Sequence, residues 1–199
     1  MATVVVGGHT RNVGKTSVVA GLIAALPEYQ WTALKITQFG HGMCSADGEA
    51  CHCATDEHVW GMTEEVDRSG KSDSSRFLAA GAKRVWWVRS QQGKLAEAMP
   101  AIRRKLEGAE NIIFESNSIL KFVKPDLYLT VLDPAIKDFK KSAQEFLDRA
   151  DAVLLHGSDR FEWEGISLKP VRVRPVFRIE PPEFVTEGVV QFVRERLRG

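Results

Sequence analysis

Short apolar, β-branched bursts recur along the chain at wide intervals, with amphipathic or polar stretches between them. Thr3–Val6 is the first and is closed by Gly7-Gly8; Trp31–Ile36, Lys83–Val88, Asn111–Phe114, Leu127–Leu132 and Ala152–Leu155 follow. These runs are continuously apolar, as strands covered on both faces are. Lys15–Leu26, stopped by Pro27, reads as a helix. So does Leu95–Leu106, where Leu95, Met99, Ile102 and Leu106 fall at spacings of three and four. Further helices are predicted from Asp73 toward the third burst, over Phe139–Ala150, and over Glu183–Leu197 after the apolar run Val171–Ile179 and Pro181-Pro182. Strands alternating with helices imply right-handed crossovers, hence an α/β fold: a mainly parallel β-sheet with helices on both faces.

One stretch breaks this rhythm. Residues from about 38 to 70 are rich in Gly, His, Cys, Asp and Glu and lack a sustained apolar period, so they read as an irregular Cys/His-rich insert after the second strand. A segment of that length inside a compact domain is usually functional or carries structure of its own.

Composition narrows the function classes. At 199 residues the chain suits a single domain, 1–199. Its 44% hydrophobic content excludes a disordered chain. The balance of 27 Lys+Arg against 26 Asp+Glu gives no basic excess for nucleic acid. No apolar run reaches the ~20 residues that span a bilayer, and the N-terminal segment lacks a basic n-region and a cleavage site. The expectation is a cytoplasmic protein with no nucleic-acid or membrane partner.

The strongest local signal is Gly8-His9-Thr10-Arg11-Asn12-Val13-Gly14-Lys15-Thr16, set between a predicted strand and a predicted helix. This is the context of a phosphate-binding loop. Backbone N–H groups from Asn12 through Val13 and Gly14 to Thr16 can converge on phosphate oxygens at the positive end of the helix dipole, with Ser17 next in line. Lys15 would neutralise the β and γ phosphates and the Thr16 hydroxyl would hold Mg²⁺. The usual glycine five residues before Gly14 is His9 here; the glycine is Gly8, so the loop is one residue longer. Glu115 follows an apolar strand, at the carboxyl edge where open α/β sheets bind ligands. Lys35 sits inside the apolar run Ala33–Ile36, where an unpaired ammonium is costly to bury.

The extended loop with Thr10 inside it resembles dethiobiotin synthetase and related ATP-dependent synthetases. Asp73-Ser74-Ser75-Arg76-Phe77-Leu78-Ala79-Ala80-Gly81-Ala82 resembles the Asp-Ser-x-Arg…Ala-Gly-Ala segment of the MobB family, whose members bind GTP and assist in attaching a nucleotide to molybdopterin. Both families share the P-loop NTPase fold, and the resemblance covers about 1–160. It implies that Glu115 and Asp73 approach one Mg²⁺ together with Thr16, that Lys35 lies near the phosphates, and that Arg76 reaches a phosphate or pairs with Asp73. Where those families place Gly after the acid, Ser116-Asn117 stands here.

The insert carries the remaining chemistry. His41, Cys44, Cys51, Cys53 and His58 fall within eighteen residues, in a segment with few apolar residues to bury thiols. A disulfide does not persist in a reducing cytosol. Thiolate with imidazole suits Zn²⁺ or another soft metal, with the three cysteines and His41 or His58 as ligands.

Three functions are compatible with these residues. The first is a Mg²⁺-dependent, MobB-like protein that binds ATP or GTP, with weak or partner-stimulated hydrolysis. The second is an ATP-dependent synthetase or small-molecule kinase with an unidentified acceptor, whose pocket the insert and Ser116–Lys121 would supply. The third is a metal-responsive nucleotide-binding module without catalysis. No Asn-Lys-x-Asp segment selects guanine. A protein partner and a homodimer are both compatible with the sequence.

Overall fold

The computed structural model describes residues 1–39, 59–157 and 162–198. The first strand, β1 (Thr3–Gly8), leads through the phosphate loop into α1 (Lys15–Ala25). β2 (Trp31–Phe39), β3 (Trp60–Glu64), α2 (Asp73–Ala79) and β4 (Arg84–Gln91) follow. Then come α3 (Leu95–Leu106), β5 (Asn111–Glu115), β6 (Leu127–Leu132), α4 (Lys141–Gln144) and β7 (Ala152–His156). The last elements are α5 (Lys169–Arg172), β8 (Val176–Ile179) and α6 (Glu187–Arg198).

The strands form one sheet in the order β3-β4-β2-β5-β1-β6-β7-β8. Every pairing is parallel except that of β3 with β4. Side chains of the central strands alternate between two cores. Val4 and Val6 of β1 join Ile113 of β5 against α1, α2 and α6, whereas Val5, Ile112 and Phe114 pack on the opposite face with Leu95, Met99 and Ile102 of α3. Helices therefore cover both faces, and the central strands are buried along most of their length.

Several boundaries differ from the sequence expectation. The 38–70 stretch is not irregular throughout: Trp60 and Met62 of β3 pack against the second core while the strand pairs with β4. Only two apolar positions alternate there, too few for the pattern to declare itself. The expected 139–150 helix is reduced to α4 and a single 3₁₀ turn at Leu147–Arg149. The Lys140 N–H is spent on the His9 carbonyl, and Phe139 packs against the His9 ring. Tertiary partners override local preference here. The 171–179 run divides between α5, opened by Pro170, and β8. The expected helix from Glu183 starts instead at Glu187, because Glu180 and Glu183 pair as an isolated bridge. His41, Cys44, Cys51, Cys53 and His58 lie outside the described residues.

Candidate functional site

The loop between β1 and α1 is shaped by two residues in left-handed conformation, Asn12 (φ 58°) and Gly14 (φ 88°). Asparagine and glycine are the residues that tolerate this region. Gly14 also has no room for a side chain: a Cβ there would lie 2.4 Å from the Phe184 ring. Gly14 precedes the first turn of α1, and its carbonyl accepts the Val18 N–H at 2.9 Å, so the helix dipole begins at the loop.

The upstream arm is pinned from several sides. His9 is fully buried, and its main chain bonds to the Val131 carbonyl at 3.1 Å and the Lys140 N–H at 2.8 Å. Its ring packs against Phe139 and Trp163 and donates from Nε2 to the Ile136 carbonyl at 3.3 Å. Burial holds the imidazole below its ordinary pKa, which keeps it neutral. Asn117 clamps Gly8: its Oδ1 accepts the Gly8 N–H at 3.0 Å and its Nδ2 donates to the Gly8 carbonyl at 2.8 Å. The Thr10 hydroxyl donates to Asp138, and His156 Nε2 donates to the Val13 carbonyl at 3.0 Å.

Strand register then brings charge to the loop. Lys35 and Glu115 are direct neighbours across the β2–β5 pairing, and Glu115 also faces Val6 of β1. Lys35 continues the face of Trp31 and Ala33, and Glu115 that of Ile113, so alternation aims both at α1. β2 is an interior strand, so Lys35 is not an edge lysine reaching for solvent. Its Nζ lies 3.1 Å from both carboxylate oxygens of Glu115 and 3.4 Å from Thr16 Oγ1, and it also pairs with Asp73. The Thr16 hydroxyl donates to Glu115 Oε2 at 2.9 Å. Glu115 is 6% exposed.

Asp73 is delivered by the first turn of α2, whose start is fixed by a reciprocal capping box between Ser72 and Ser75. Three residues on, Arg76 donates to Ser17 Oγ at 2.9 Å, joining α2 to the start of α1. Lys15 turns back to the Thr10 carbonyl at 2.6 Å. Burial pushes its ammonium below the ordinary lysine range, Glu115 opposes that shift, and Lys35 adds to it.

Thr16, Lys35, Asp73 and Glu115 thus meet at one point, with Lys15 beside them and Arg76 one turn along α2. Asn117, His156, Asp138 and Phe184 also shape the loop; the sequence marked Asn117 only as a departure from the resembled families, and the other three were not singled out. Asn117 stands two residues beyond a strand-end acid, a place where a further ligand-edge residue is found by position alone. His156 has the same signal at the end of β7. Asp138 and Phe184 have none. Ser116–Lys121 is committed to packing, since Ile119 and Leu120 are buried and Ser116 and Ser118 bond to each other at 3.0 Å. A groove of about 400 Å³ lies beside the loop, between Ser17, Gly21 and Arg76 on one side and the 182–185 segment on the other. Among the described residues, no three or more His, Cys, Asp or Glu cluster as a metal site, and no helix is long and apolar enough to cross a membrane.

A mostly parallel sheet with a β1–loop–α1 phosphate-binding turn at the carboxyl ends of its strands defines the P-loop NTPase fold. A solved structure shares it. LpxK from Aquifex aeolicus, in its "apo" form in complex with ATP, aligns with a TM-score of 0.50 and 19% identity over 89% of this chain and 53% of that one. The chain therefore spans about half the length of that LpxK. HypB from Helicobacter pylori, in complex with nickel, aligns with a TM-score of 0.48 and 15% identity over 99% of this chain and 87% of that one. No protein-family model matches the sequence, and no curated protein matches it.

Proposed function

We propose that the chain is a Mg²⁺-dependent nucleoside-triphosphate-binding protein with weak or partner-stimulated hydrolysis. The observation that carries this reading is the meeting of Thr16, Asp73 and Glu115 around Lys35, beside a helix-capping glycine loop that ends in Lys15. One hydroxyl and two carboxylates are hard oxygen donors, and their number suits Mg²⁺, which keeps waters and phosphate oxygens in its shell. They fit that ion better than an all-protein cage. When bound, Mg²⁺ would bridge phosphate oxygens and neutralise charge on the transferring group.

The chain's own residues divide the rest of the work. The loop N–H groups from Asn12 to Thr16 would receive phosphate oxygens, and Lys15 would exchange the Thr10 carbonyl for the β and γ phosphates. Ser17 and Arg76 border the groove and would hold the nucleoside side of the ligand. The fold's likeness to LpxK, which was solved with ATP, is in keeping with a triphosphate ligand. Within this class the reading is MobB-like, assisting nucleotide attachment in molybdenum-cofactor formation. The Asp73–Ala82 segment supports it, since it forms the helix that brings Asp73 to the loop.

The test is Lys15→Ala followed by calorimetric titration with ATP and GTP. Loss of a charge-assisted contact to phosphate should weaken binding by about a hundredfold, with the circular-dichroism spectrum unchanged. Unaltered affinity would remove the loop from the function.

A further inference from the structure

We propose that the Lys35 ammonium and a divalent cation compete for one set of oxygens, so that metal enters only as this side chain leaves. An ammonium carries three protons. Here they face Asp73, the Glu115 carboxylate at 3.1 Å and Thr16 Oγ1 at 3.4 Å. These are the same three side chains that supply hard oxygens for Mg²⁺. A divalent ion and an ammonium cannot share that set: at contact distance like charges repel strongly in a partly buried site.

The arrangement holds Lys35 in place until something replaces it. Glu115 is buried, and removing its partner would leave an uncompensated charge, the costly half of a broken ion pair. Lys15 does not substitute, since it is turned to the Thr10 carbonyl, and Arg76 is turned to Ser17. The β2 backbone is held by β4 on one side and β5 on the other, which leaves side-chain rotation as the way out. On the functional reading above, the triphosphate is what receives the ammonium when the cation takes the carboxylates. Metal and nucleotide then bind with positive coupling, each weak without the other.

Electron paramagnetic resonance of Mn²⁺ with the nucleotide-free full chain tests the competition without any turnover. Lys35→Met should bind Mn²⁺ roughly ten- to a hundredfold more tightly than wild type, the usual span of coupling between competing or cooperating ligands. Lys35→Arg, which keeps the charge, should stay near the wild-type affinity. Lys83→Met removes an equal charge from an exposed position that pairs with Glu110 and with neither Asp73 nor Glu115, and should change Mn²⁺ affinity by less than about threefold. Equal Mn²⁺ affinity in Lys35→Met and wild type overturns the proposal, as does a Lys83→Met effect as large as that of Lys35→Met. Should Lys35→Met fail a circular-dichroism check of folding, Lys35→Gln carries the same expectation and the same refutation. A fluorescent triphosphate that fails to bind wild type in the presence of Mg²⁺ would count against the proposed function, and the Mn²⁺ titration would still decide the competition.

Discussion

Lys140 shows how the loop alters single residues that the sequence leaves unremarkable. Burial, then the neighbouring charges of Lys15 and Arg11, push its ammonium from the ordinary 10.5 down to about 8, while Asp138 opposes them. Between about pH 8 and 10.5 the unfolded chain therefore holds a proton on this group that the folded protein has released. Stability rises with pH wherever the unfolded state binds more protons. Urea unfolding at a series of pH values should show stability climbing across this window, with Lys15, also pushed down, contributing in the same direction. Lys140→Met should flatten part of the climb; an undiminished slope in the variant would assign the effect elsewhere. Nothing in the sequence around Lys140 announces this, because the shift depends on where residue 140 sits against residues 11 and 15. Lys35 is different. An ammonium inside an apolar strand demands a partner, and the demand is readable before the partner is known.

Among the elements, those built on long apolar periods were legible and those held by distant contacts were not. β1, α1, α3, β6 and β7 follow directly from runs and spacings. β3, α4 and the start of α6 depend on a neighbouring strand, on His9 and on the 180–183 bridge, none of which leaves a local pattern. The turn after β5 belongs to the second group. Its Asn117 occupies both main-chain polar groups of Gly8, and Gly7 lies so near that a Cβ there would fall 2.1 Å from Asn117 Oδ1. Asn117→Ala should cost about 1–2 kcal/mol in urea unfolding, the usual result of leaving two partly buried groups unpaired. It should also lower triphosphate affinity, because one end of the loop is released. Equal stability of variant and wild type would show that water satisfies Gly8 as well as the amide does.

At the scale of the whole molecule, one sheet with two covered faces was readable from alternation and continuity, whereas the Cys/His segment is a chemical expectation outside the described residues. Three thiols and three imidazoles within eighteen positions call for a soft metal. Elemental analysis of protein purified without a metal-affinity tag should find near-stoichiometric zinc or another soft metal. Three freely titrating thiols in metal-free, folded protein would contradict it. The clamp on Gly8 also has a meaning in time. Gly8 and Asn117 stand 109 positions apart, and β1 has both of its partners, β5 and β6, beyond that same gap. A ribosome building this chain releases the sheet's central strand and its phosphate loop long before either neighbour exists. The loop remains open and the valines of β1 remain exposed until residues 111–132 have emerged. Long-range parallel pairing is slow to form and vulnerable to aggregation while it waits. Synthesis must therefore pass β6 before a nucleotide can find a finished cradle.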